Sequence, residues 1–312
     1  MNWSIKSIPN QEGRIAFITG ANSGLGFETA KALLQKGCKV ILGCRSINKA
    51  EKAREDLHKK TNSKNIELLE IDLSDLRSVE KAGDQISAKY PTLEILINNA
   101  GLMAPPQTYS KQGYEIQFAV NHLSHMALTL KLLPQLTKKK GGRVVTISSG
   151  AQYLGKINWN DLQGEKKYDR WASYSQSKLA NVMFAIELDY RLKRANIDLS
   201  SLSAHPGLAR TNLQSKSVEA NNSWQEAIAY KLMAPLFQSS AMGALPQLLA
   251  ATHPNAQGGK QYGPRFSFRG NPNLCKIAPS ALESNARKRL WEVSEKLIGN
   301  LVEINLTKDI LN

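Results

Sequence analysis

Six short apolar runs alternate with longer amphipathic stretches along the first two thirds of this chain, and that alternation narrows the fold more than any other feature. The runs Ile15–Thr19, Lys39–Cys44, 66–71, 93–98, 143–148 and 197–204 read as strands. Most are near-continuous in Val, Ile and Leu, as strands covered on both faces require. Between them, stretches 24–36, 47–60, 75–89, 114–137 and 171–194 repeat apolar residues every three or four positions, which predicts helices. A β-α-β-α order of this kind predicts an α/β fold, with a parallel sheet covered by helices on both faces and right-handed crossovers.

No repeat, linker or composition shift marks a boundary, so one domain is expected over residues 1–312. The segment 207–312 reads differently, as a substrate-side elaboration. It holds helical patterns near 224–237 and 240–252, a Gly/Pro-rich stretch at 258–272 with a late strand at 260–263, and a basic helix near 279–298.

Apolar residues make up 42% and charged residues 21% of the 312, a globular composition. A chain of this size builds a core without disulfides or a metal. The three cysteines, Cys38, Cys44 and Cys275, form no Cys-x-x-Cys pair and read as buried structural thiols in a reducing compartment. No apolar h-region opens the chain and no run of 18 apolar residues occurs, so a cytoplasmic protein is expected.

Lysine and arginine outnumber acids 41 to 26, a formal charge of +15. Such a field draws phosphate-bearing ligands or anionic surfaces. The tight cluster Lys138-Lys139-Lys140 follows an apolar helix, where cations suit the negative end of the helix dipole. No zinc-finger spacing or aromatic ribonucleoprotein motif supports nucleic-acid binding, which is not expected. Peripheral contact with an anionic membrane is left open, as is the choice between monomer and homodimer.

The first strand runs into Gly20-Ala-Asn22-Ser23-Gly24-Leu25-Gly26, and a helix pattern follows. Glycine here permits the turn, lets backbone approach a pyrophosphate and lets helix pack closely on strand. The helix start offers free N–H groups to the anion. The spacing is Gly-x-x-x-Gly-x-Gly, and strand before with helix after gives it weight as part of a Rossmann-like, doubly wound fold. About 20 residues on, where an NAD site places an acid against the ribose, the second strand ends in Cys44-Arg45. Arg45 can fork onto a 2′-phosphate that an acid would repel, so NADP(H) is the expected cofactor. Asp72, followed by Leu73, either binds adenine or caps the next helix. Asn98-Asn99-Ala100-Gly101 puts polar groups at a strand's carboxyl end, where ligands bind in such sheets.

Tyr174 and Lys178 stand four apart on a predicted helix and share a face. A nearby cation stabilises phenolate, so Lys178 is expected to lower the Tyr174 pKa and make it a general acid or base. Ser148 and Ser149 close the fifth strand at the same rim, and either hydroxyl could hold a substrate oxygen. His122 and His125 lie three apart, but no Cys or acid completes a metal site, and none is expected.

Together, Thr19 to Gly26, Asn98 to Gly101, Ile147-Ser-Ser149 and Tyr174-x-x-x-Lys178 resemble the short-chain dehydrogenase/reductase family over about residues 13–265. The resemblance implies a catalytic set of Asn121, Ser149, Tyr174 and Lys178, with Asn121 holding a water in a proton relay and Lys178 also bonding the nicotinamide ribose. It implies cofactor contacts from Gly20, Asn22, Ser23, Gly24, Leu25, Gly26, Arg45, Asp72, Leu73, Asn99, Ala100 and Gly101, and from Pro206, Gly207 and Thr211 beyond the sixth strand. The long stretch between Ser149 and Tyr174, with Gly43-Cys44-Arg45 and His205-Pro206-Gly207, resembles the retinol dehydrogenase and protochlorophyllide reductase-like branch. That branch implies an apolar aldehyde, ketone or retinoid-like substrate. Alternatives are a protochlorophyllide-type C=C reductase and a non-catalytic NADP(H)-binding sensor or scaffold. Trp224, Tyr230, Met233 and Phe237 either line an apolar substrate pocket or pack in the core.

Overall fold

A computed structural model describes residues 3–210 and 236–299. Its centre is β1 (Ile15–Thr19), hydrogen-bonded in parallel to β2 (Lys39–Cys44) on one side and β4 (Ile95–Asn98) on the other. Phe17 and Ile18 are fully buried on opposite faces of this strand, in two separate clusters, which is why it reads as unbroken apolar sequence. Outward from it lie β3 (Ile66–Glu70), β5 (Gly142–Ile147), β6 (Leu199–Ala204), β7 (Gln261–Pro264) and β8 (Pro272–Cys275). The order β3-β2-β1-β4-β5-β6-β7-β8 is parallel up to β7, and the strand order reverses beside β1. This is the doubly wound α/β arrangement expected from the sequence, with one antiparallel edge strand added.

One face is covered by α1 (Gly24–Leu34) and α2 (Ile47–Thr61). The other is covered by α3 (Leu76–Lys89), by α4 (Ile116–Phe118) leading through a π turn (Ala119–Leu123) into α5 (Ser124–Leu136), and by α6 (Arg170–Arg194). Later come α7 (Ser240–Thr252), packed with α1, then α8 (Pro279–Leu282) and α9 (Ser284–Ile298).

Several boundaries differ from expectation for local reasons. β4 starts at Ile95 rather than residue 93, because the Leu93 amide donates to the Gln135 carbonyl at the end of α5. β6 starts at Leu199 rather than residue 197. Asn196 takes φ +56°, and the Ile197 amide still closes α6 by donating to the Leu192 carbonyl. The basic helix at 279–298 breaks at Glu283, whose backbone is extended. β8, a strand the sequence did not suggest, begins at the last residue of the Gly/Pro-rich stretch 258–272 as the return arm of a hairpin with β7. The helical pattern at 224–237 lies mostly outside the described residues.

The α9 helix is part of the core. Trp291 stacks on Phe184 of α6 at 5.9 Å between ring centroids, and the Arg191 guanidinium lies 4.4 Å from the Trp291 ring. Glu187 of α6 pairs with both Arg191 and Arg287, and Ser294 Oγ sits 2.8 Å from His122 Nε2. Cys38, Cys44 and Cys275 are free thiols, and burial pushes them up to about 12, 11 and 12, which disfavours thiolate. No helix among the described residues is long and apolar enough to cross a membrane.

Candidate active site

The chain leaves β1 at Thr19 and turns through Gly20, at φ +66°, to Gly24, at φ +55°, where α1 begins. Both angles lie in the left-handed region that a side chain disfavours. Gly26 is required for a different reason: a Cβ there would stand 2.5 Å from the Gly20 carbonyl oxygen and 2.7 Å from Asn99 Nδ2. The Gly20 amide donates to the Gly43 carbonyl at 2.7 Å, which ties the turn to β2. Ser23, at the N-cap of α1, makes no side-chain cap bond, so the first amides of that helix are left for an anion. Asn22, Ser23, Gly24 and Leu25 are all half-buried at this turn, and Leu25 abuts α7 at Gly243.

Arg45 is exposed just beyond β2, one residue past the buried Cys44 that packs beneath Ala21 and Asn22. Asp72 does not cap α3. Asp75 does, accepting from the Arg77 amide at 3.0 Å, while Asp72 Oδ1 accepts from the Ser74 amide and hydroxyl. The capping reading of Asp72 is thereby corrected: the helix starts one turn later than that reading needs. Leu73 is buried, and its carbonyl accepts from Ser124 Oγ at 2.6 Å.

Beyond β4, the amides of Asn99 and Ala100 donate to Thr19 Oγ1 at 2.9 and 3.0 Å. Asn99 Nδ2 donates to the Thr19 carbonyl at 2.8 Å, closing the glycine turn from the side. A residue the sequence reading missed completes this corner. Gln247 of α7 donates to Thr29 Oγ1 at 2.6 Å and to Asn99 Oδ1 at 3.3 Å. Its signal was a glutamine inside the apolar run 243–251, which must find partners once buried.

Gly101 marks where Asn121 and Lys178 converge. A Cβ on it would lie 2.9 Å from Asn121 Oδ1 and 3.4 Å from Lys178 Nζ. Asn121, fully buried in the π turn, accepts from the Leu102 amide at 2.7 Å and donates to the Leu102 carbonyl and to Ser177 Oγ. Glu115, Gln117 and Tyr168 lock the start of this segment against the start of α6: Gln117 Nε2 donates to Tyr168 Oη at 3.1 Å and to the Arg170 carbonyl at 3.0 Å. Asn121 and Tyr174 are thus held on two helices with a fixed relation.

The two serines at the end of β5 diverge. Ser148 is buried and gives its hydrogen to the Lys178 carbonyl at 2.8 Å. Ser149 stands beside the Tyr174 phenol, and its hydroxyl accepts from the Ala151 amide at 3.3 Å, opening the turn Gly150–Leu154. Burial raises the phenol above its ordinary value, and the group working against it is the Ser149 hydroxyl. The Lys178 ammonium lies 5.8 Å from the Tyr174 ring centroid and donates to the Ile147 carbonyl at 3.2 Å, itself pushed down to about 8 by burial. Burial prevails at the phenol, which stands above its ordinary value rather than below it.

At the end of β6, Gly207 takes φ +67°, and a Cβ there would meet the Phe268 carbonyl oxygen at 2.4 Å. The Leu208 amide donates to that same oxygen at 2.7 Å, so the β7–β8 loop packs against the segment with Pro206. Thr211, Trp224, Tyr230 and Met233 lie outside the described residues, and Phe237 is half-buried. His122 and His125 point apart, toward Ser294 and Thr19.

Comparison with known proteins agrees with this layout. Residues 14–222 match the family described as short chain dehydrogenase. Retinol dehydrogenase 12 of Bos taurus is 36% identical over 290 residues, covering 92% of this chain and 87% of that one. A short-chain dehydrogenase/reductase of Armillaria gallica is 40% identical over 298 residues, covering 93% and 92%. The crystal structure of an uncharacterised protein from Mycobacterium paratuberculosis superposes with a TM-score of 0.80 at 37% identity, covering 96% of this chain and 98% of that one. The glycine turn, the asparagine-bearing loop and the Tyr–Lys helix thus occur in a chain that belongs to the short-chain dehydrogenase/reductase family of oxidoreductases and is retinol dehydrogenase-like.

Proposed function

We propose that this chain is an NADP(H)-dependent oxidoreductase that interconverts an apolar aldehyde or ketone, retinoid-like in character, with its alcohol. The observation that carries the reading is the convergence of Lys178 with the Tyr174 ring and with Asn121 about Gly101, Ser149 standing beside the phenol, at the carboxyl edge of the sheet and next to the open start of α1. Bound NADPH supplies the hydride. The residues present fit that group: the free amides at the start of α1 would hold its diphosphate, and the exposed Arg45, where the second strand ends without an acid, would hold a 2′-phosphate. Asp72 and Leu73 would border the adenine, Asn99 to Gly101 the central ribose, and Pro206, Gly207 and Thr211 the carboxamide end.

In reduction, Ser149 donates a hydrogen bond to the substrate carbonyl oxygen, and Tyr174 gives it a proton. A phenol raised by burial stays protonated at neutral pH, which suits the acid role. Ser149 then steadies the phenolate that remains. Lys178 would bond the nicotinamide ribose, and Asn121 would hold the water that returns a proton to Tyr174. One domain houses the whole site, with 207–312 as its substrate-side part.

A panel of retinoids, quinones and medium-chain aldehydes, followed by nicotinamide absorbance with NADPH and with NADH, tests this reading. Consumption of NADPH with an aldehyde or retinoid, and much slower consumption of NADH, is expected. Tight NADPH binding with no turnover across the panel would favour a sensor instead. Turnover confined to conjugated C=C substrates would favour the photoreductase-like alternative.

A further inference from the structure

Asn121 belongs to the helical layer and Thr19 to the sheet, yet one side chain bonds both. His125, 1% exposed, places Nδ1 3.0 Å from the Asn121 carbonyl oxygen and Nε2 2.9 Å from Thr19 Oγ1. A carbonyl only accepts, so Nδ1 carries the hydrogen and Nε2 is the acceptor. The Thr19 hydroxyl must then donate to Nε2, which leaves its oxygen free to accept from the Asn99 and Ala100 amides at 2.9 and 3.0 Å. The competing acceptor, the Ile97 carbonyl, is farther, at 3.4 Å. Every polar atom of the imidazole and of the Thr19 side chain is satisfied in one pattern only.

We propose that His125 is a positioning residue, a neutral strut that holds the Asn121 carbonyl in register with the Thr19–Asn99–Ala100 backbone beneath the nucleotide. Both ring nitrogens are engaged in this buried place, so apolar packing alone does not explain the imidazole. Burial and the nearby Lys178 charge both keep the ring neutral, so the strut does not switch with pH near neutrality. His122 shows the contrast: it is equally buried, three residues earlier, and its Nε2 lies at Ser294 Oγ, away from both Thr19 and Asn121. This inference rests on the oxidoreductase reading for its kinetic consequences, and on hydrogen bonding alone for its geometry.

The experiment joins NADPH titration by fluorescence, kcat with the best carbonyl substrate, and ¹⁵N spectra of the imidazole. His125→Leu should lower kcat about tenfold and weaken NADPH binding severalfold. His125→Asn can still reach back four residues to the Asn121 carbonyl, so it should recover part of kcat while NADPH binding stays weak. Thr19→Val, which also strands the Asn99 and Ala100 amides, should weaken NADPH binding at least as much as His125→Leu, and the double variant should fall short of the product of the two losses, because the Thr19–His125 bond is counted in both. Fully multiplicative effects, or a fall in melting temperature with kcat and NADPH affinity unchanged, would overturn the strut. The wild-type spectrum should show a neutral Nδ1–H ring between about pH 5 and 8. An Nε2–H ring, or one titrating near pH 6.5, overturns the inference whether or not the protein turns over a carbonyl. Failure of the substrate panel with the spectrum as expected would count against the function alone.

Discussion

Ser148 Oγ donates to the main-chain carbonyl of Lys178 at 2.8 Å, which points it into the protein and leaves Ser149 as the serine beside the phenol. Two adjacent, chemically identical residues therefore have separable fates. Ser149→Ala should reduce kcat by about 10²–10³ with little change in melting temperature, the scale of losing one donor to a developing oxyanion. Ser148→Ala should instead cost about 1–3 kcal/mol of stability by stranding a buried acceptor, with kcat within a few-fold of wild type. Reversal of these two patterns, in steady-state kinetics and urea unfolding, would remove Ser149 from the mechanism.

If Tyr174 is the proton source proposed above, Tyr174→Phe should abolish turnover while NADPH still binds, because the buried ring remains. Fluorescence titration and the absorbance assay on one preparation make the comparison. Normal turnover by this variant would refute the assigned acid.

Arg45→Asp should weaken NADP(H) about 10–100-fold and leave NAD(H) unchanged or improved, because an exposed guanidinium is exchanged for a charge that repels the 2′-phosphate. Equal losses for the two nucleotides would make Arg45 a structural surface residue.

Gly26→Ala should fail at the turn. Its new Cβ would press on the Gly20 carbonyl oxygen, which is backbone, and on the Asn99 side-chain amide, which is held by its bond to the Thr19 carbonyl. About 1–3 kcal/mol of overpacking is expected, with NADPH affinity falling in parallel. Wild-type affinity would mean that the turn yields more easily than its contacts indicate.

Three buried imidazoles make acid destabilisation predictable. Burial holds His122, His125 and His205 down to about 3, 4 and 4 in the folded chain, below the ordinary 6.5. Between about pH 6.5 and 4 the unfolded chain binds protons that the folded chain refuses, so stability falls as pH falls, by about 1.4 kcal/mol per unit for each ring. Urea midpoints should drop steeply over that window and level off above about pH 7. Replacing His122 with a residue that does not titrate should flatten the slope by a third, and an unchanged slope would assign the acid sensitivity elsewhere.

The sheet was legible because β1, β2, β4 and β5 are covered on both faces and have no polar alternation to blur them. β8 was not, since Pro272, Asn273 and the glycines before it look like a loop until β7 provides a partner. Within the site, glycine spacing and the four-residue Tyr–Lys step were readable because they are local. The serine choice was not readable from chemistry, because it depends on where α6 lays the Lys178 carbonyl. Gln247 and His125 escaped for the same reason: each acts by bridging elements more than 100 residues apart in sequence, as the separations to Thr29 and Thr19 show.

The seat of Trp291 between Phe184 and Arg191 has a consequence for how the molecule comes into being. The helix carrying Tyr174 and Lys178 leaves the ribosome long before the segment that seals its back. Until that segment arrives, the apolar back of the helix that carries Tyr174 lacks its cover, the kind of exposed surface that makes a nascent chain prone to aggregate.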